Sequence, residues 1–171
     1  MKGAGVAELT NLESKLGEVV GLAMAAQEAA KKVSTLARAE KAQDLVEKLK
    51  QMQVEAKEAE RRGKEIAASI DGKKTAILSE AREVKQKAGE MMADYLDESA
   101  DALDGFEFLT MAEAGEVGHW EILGTMNKRA RNVALREYVG WGLPIQKRHL
   151  KDVREGSLKL AAEEDPNEPA A

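Results

Sequence analysis

The chain has 171 residues, 43% hydrophobic and 33% charged, with only 4% aromatic, three prolines, no cysteine and a formal net charge of −5. That length holds one domain with a core of its own, and the apolar content excludes a disordered chain. Lack of cysteine excludes disulfides, thiolate metal sites and a cysteine nucleophile, and the negative balance argues against a nucleic-acid partner.

No apolar run approaches the roughly 18 residues of a membrane span. The opening stretch MKGAGVAELTN carries no apolar run of signal-peptide length, so a cytoplasmic protein is expected. Alanine, leucine, glutamate, lysine and methionine predominate, which favours helix over sheet.

Leu9, Leu12, Leu16, Val19, Ala23, Ala26, Ala30, Val33 and Ala37 recur at steps of three and four. The spacing predicts a first helix over about residues 6–39, with Thr10 or Asn11 as cap of a shorter version. Glu13 lies on the flank of that stripe, Gln27 within it, and Glu18 points away. Leu45, Leu49, Met52, Ala56, Ala59, Gly63 and Ile66 predict a second helix over about residues 40–70, flanked by Gln53, Glu55 and Glu60 and closed by an Asp71-Gly72 turn. A third, less regular helix is predicted over about residues 73–102, followed by a turn at Leu103-Asp104-Gly105.

The fourth helix, residues 106–130, is predicted to pack on Phe108, Ala112, Gly115, His119, Ile122, Met126 and Ala130, with Glu116 at the edge of that stripe. Its last turn is basic (Lys128, Arg129, Arg131), which suits the negative end of a helix dipole. The fifth carries Leu135, Tyr138, Val139, Gly142, Ile145, Gln146, His149, Val153 and Leu160 on one side. Pro144 is predicted to kink or split it. The domain is expected to span residues 1–163, and the acidic, proline-bearing residues 164–171 to form a loose tail.

Glu13, Glu55, Glu116, His119, Gln146 and His149 are thus inward or flanking polar residues on four helices. A Glu and a His three apart on a buried face form the pair that carboxylate-bridged two-metal bundles use, and hard cations need anionic oxygen ligands. The six predict a centre for two iron or manganese ions, with glutamine where a fourth carboxylate would sit. The alternative is a set of core histidines satisfied by neighbouring acids, with Glu13 and Glu55 solvated. Met91, Met92, Met111 and Met126 read as core filler and Trp120 as a residue packed at a helix interface.

Three segments resemble the YciE/YciF stress-protein branch of the ferritin-like superfamily: LTNLESKL, VGHWEILGTMNKRA and IQKRHLKDVREGSLKLA. The resemblance implies an all-α, ferritin-like antiparallel four-helix bundle with one additional helix, the third, a homodimeric state and a role in stress response. It places that family's opening glutamate on Glu13, its second-helix histidine on Glu55 with the preceding glutamate on Gln51, its third-helix histidine on His119 and its last-helix glutamate on Gln146. Gly118 stands where the family has glutamate. Two functions follow as expectations. One is a di-metal carboxylate protein handling peroxide, oxygen or iron. The other is a metal-free structural or partner-binding bundle. A third, weaker expectation is contact with nucleic acid or an acidic partner through the basic edges at residues 128–131 and 147–148.

Overall fold

The computed structural model describes residues 7–170 and, among them, contains five α-helices and no strand. These are α1 (Asn11–Ala39), α2 (Gln43–Ser69), α3 (Lys74–Tyr95), α4 (Ala102–Ala130) and α5 (Val133–Ala162). Among the described residues no helix is long and apolar enough to cross a membrane.

Helix boundaries follow from side chains that satisfy the orphan backbone groups at each end. Thr10 caps α1: its hydroxyl accepts from the Glu13 amide at 3.1 Å, and the Glu13 carboxylate accepts from the Thr10 amide at 2.9 Å. The helix therefore starts five residues later than the apolar repeat suggested, and Val6 lies outside the described residues. The third helix also ends earlier than expected, at Tyr95. Asp97 accepts from the amide and hydroxyl of Ser99, and Asp101 and Asp104 then form a capping box that opens α4. The predicted turn at residues 103–105 is thus the first turn of α4, because aspartate fills the box position usually held by glutamate or glutamine. The Asp71-Gly72 turn forms as expected, with Gly72 at φ +71°.

Pro144 does not split α5, which runs unbroken from Val133 to Ala162. The proline and Gly140, whose carbonyl loses its donor, are both solvent-exposed, so water can replace the missing bond.

Helices α1, α2, α5 and α4 form a closed ring in which every neighbour is antiparallel. Gln27 donates to Glu60 across α1 and α2 at 2.8 Å, the Tyr138 hydroxyl donates to the Ala59 carbonyl across α5 and α2 at 2.7 Å, and Thr110 meets Ser157 across α4 and α5 at 3.1 Å. Diagonal partners α2 and α4 are parallel, because α3 carries the chain back along the length of the bundle. It does so lying parallel on the outside of α1. Gly17 and Gly21 make that contact possible: a Cβ on Gly21 would sit 2.4 Å from the Ala81 carbonyl oxygen, and one on Gly17 2.9 Å from that of Ile77.

Two apolar clusters fill the ring. One gathers Val33, Val46, Leu49, Phe106, Leu109, Val153 and Leu160; the other gathers Leu16, Val20, Ile77, Trp120, Leu123, Leu135 and Tyr138. Between them lies a polar layer, and it contains the candidate site.

Candidate functional site

The polar layer is built by one helical turn of α4 and one of α5, joined by Glu55 of α2. Glu113, Glu116, Gln146 and His149 are all buried, at 1%, 6%, 6% and 3% exposure. The Gln146 amide donates to the Glu113 carboxyl. His149 lies between two acids, with Nε2 3.3 Å from Glu55 of α2 and Nδ1 3.9 Å from Glu113. Glu55 in turn accepts from the Arg148 guanidinium at the edge of the bundle. Glu116 makes no hydrogen bond among the described residues. Beside the layer, Ala23, Ala56, Ala59, Trp120 and Gly142 enclose a space of about 10 Å³, room for one water at most.

Burial decides the charge state. It pushes Glu113 up to about 7, opposed by the Gln146 hydrogen bond, and pushes Glu116 well above the usual carboxylate range with the neighbouring Glu113 adding to the effect. Burial lowers His149 toward the neutral form, against the pull of Glu55. Burial also raises Glu55, but the hydrogen bonds from Arg148 and His149 outweigh it and hold that carboxyl below its ordinary value. Below about pH 7 the layer therefore comprises one ion pair at the rim and an interior close to uncharged.

Four of the six residues singled out in the sequence come together here: Glu55, Glu116, Gln146 and His149. His119 and Glu13 do not. His119 is half-buried on another face of α4, with Nδ1 3.2 Å from both Lys15 Nζ and Glu18 Oε2. Glu13 serves the α1 cap and pairs with Lys73 at 3.3 Å. It lies ten residues before Ala23, about 15 Å along the helix from the layer.

Glu113 is the residue the sequence reading missed. The α4 face predicted through Gly115, His119 and Ile122 is turned by one residue, about 100°. The buried line is Leu109, Glu113, Glu116, Trp120, Leu123 and Asn127, whereas Ile122 is 43% exposed. Trp120 sets the rotation. Its ring fills the space left by Gly142, where a Cβ would lie 2.4 Å from it, and packs on Tyr138 with centroids 4.6 Å apart. Weighting the tryptophan above the histidine would have brought Glu113 inward. Comparison with protein-family models, curated proteins and solved structures finds no match.

The donor set does not suit two cations. At the level of the layer α1 presents Ala23 and Ala26, so one helix of the ring contributes no ligand. Gln146 spends its donor on Glu113, and the fixed guanidinium of Arg148 sits on Glu55. Among the described residues no three acids or histidines converge as a cage. What the layer offers instead is two carboxylic acids able to hold or exchange protons, and a neutral imidazole bridging two helices.

Proposed function

We propose that this chain is a ferritin-like bundle whose centre has exchanged two-metal chemistry for a proton-holding polar layer, and that the protein acts by binding. Support for the ferritin-like arrangement comes from the ring of antiparallel neighbours with one long connection returning along the bundle through α3. The observation that carries the functional reading is the hydrogen bond from the Gln146 amide to buried Glu113. In a carboxylate-bridged centre that position supplies an anion facing the metals; here it supplies a donor that accounts for one of the few acids remaining.

The layer also has a structural role. The bonds among Glu55, Glu113, Gln146, Arg148 and His149 tie α2, α4 and α5 in register, because a slip would leave buried groups unpaired.

Iron or manganese binding is the second reading, favoured by His149 having a carboxylate near each ring nitrogen. Metal content after anaerobic loading with each ion, and the thermal midpoint with and without chelator, separate the two. Less than one tenth of an ion per chain and a midpoint indifferent to chelator are expected. About two ions per chain, lost in His149→Ala, would overturn the binding reading.

A further inference from the structure

Helix α3 follows α1 and leaves α4 open along much of its length, meeting it where the Tyr95 and Phe108 rings lie 5.9 Å apart. The result is a groove with α1 as floor and α3 and α4 as walls, enclosing a cavity of about 310 Å³. That is at the lower end of the range for small-molecule clefts. Its size follows from the sequence: Ala26 and Ala29 of α1, Ala88 of α3 and Ala112 of α4 face it with methyl groups only. A Cβ added at Gly89 or Gly115, which also line it, would meet nothing within 4 Å.

The inner end differs from the walls. Glu113 and Glu116 both line it. Glu116 is 94% buried and without a protein partner among the described residues, yet its carboxyl oxygens are not sealed off, so a donor entering the groove can reach them. The one basic side chain buried in the polar layer, His149, is held toward its neutral form by burial, while Lys87 and His119 line the groove nearer its α3 and α4 walls. Met91 and Met111, 51% and 44% exposed, stand at the rim as soft, adaptable edges.

We propose that the groove between α3 and α4 binds a small apolar molecule carrying one ammonium group, its hydrocarbon on the alanines of α1 and its N–H donors on Glu116 and Glu113. An ammonium supplies three donors to a pair of acids of which only Glu113 has one, from Gln146, whereas a carboxylate ligand would place a third acid beside two. This deepens the binding reading given above and rests on it.

Calorimetry with octylamine and octanol on the full chain tests the site. The expected result is octylamine binding with one site per chain, about tenfold or more tighter than octanol, since a charge-assisted hydrogen bond is the only difference between them. Glu116→Gln, which keeps the shape of the neutral acid, should bring octylamine down to the affinity of octanol. Ala112→Trp, which fills the groove beside the acids without altering either carboxyl, should abolish binding of both. Equal affinities in the unchanged protein would overturn the ammonium assignment. Binding of neither would overturn the site. A dimer by light scattering that Ala112→Trp dissociates, with no effect of octylamine, would assign the groove to a second copy of the chain and overturn the proposal. Metal loading reports separately: two tightly held ions would refute the binding function of the polar layer, whatever the amine does.

Discussion

Glu113→Gln should stabilise the protein strongly at pH 8 and only slightly, by less than about 1 kcal/mol, at pH 5. The carboxyl moves from 4.5 in the open chain to about 7 in the bundle, so the folded state holds its proton more tightly than the unfolded one. A group of this kind contributes stability that is fully present below 4.5, falls as pH rises, and is gone above 7. At roughly 1.36 kcal/mol for each pH unit, the difference comes to about 3 kcal/mol. Glutamine has the shape of the neutral acid, keeps a carbonyl to accept from Gln146 and has no charge to bury. The variant should therefore gain up to about 3 kcal/mol over the unchanged protein at pH 8, or about 6–12 °C in midpoint for a chain of this size. Urea denaturation of both proteins at pH 5, 6, 7 and 8 measures this; the contributions of Glu55 and His149 largely cancel, and the gain includes relief of the repulsion between Glu113 and Glu116. A variant equally destabilised at both pH values would refute the assignment of a proton-holding Glu113.

Other substitutions test the packing. Trp120→Ala should cost about 3–5 kcal/mol, because a 3%-exposed indole is removed from the face left by Gly142; urea midpoints measure it. Gly21→Val should separate α3 from α1, whose backbones approach too closely there for a side chain. It should cost about 1–3 kcal/mol and speed hydrogen exchange across α3 more than across α5. Pro144→Ala should raise stability by up to about 3 kcal/mol, since the residue is exposed within a continuous helix and alanine restores the donor to Gly140.

Helices were legible in the sequence because their apolar steps of three and four span many turns. Their ends were less so. The stripe of α1 continues through Leu9, and only the Thr10–Glu13 box stops it, while the α4 start uses aspartates in place of the usual partners. The site was half legible for a related reason. On α5 the apolar residues around Gln146 and His149 are unambiguous, so both were placed inward. On α4, glycine, alanine and methionine leave several faces nearly equal in hydrophobicity, and the choice fell on the histidine. The structure buries the face with the larger rings, Phe106 and Trp120, and Glu113 comes with it. Pairing across helices, such as Arg148 with Glu55, leaves no periodic trace within either segment.

The division of the chain between α1–α3 and the α4–α5 hairpin has a consequence for how the molecule comes into being. The first three helices pack on one another through near neighbours in sequence and can collapse while the rest is still being synthesised. The hairpin, closed by a two-residue turn, then docks against them as a second piece. Glu113, Glu116, Gln146 and His149 all arrive with the hairpin, while Glu55 waits on the first piece. The polar layer is therefore a late seam: its bonds from α4 to α5 can form within the hairpin, but the contacts of Arg148 and His149 with Glu55 can close only when the two pieces meet in register. The same seam penalises a misaligned docking, since a slip of one turn would set the imidazole against Met52 or Ala59 in place of Glu55.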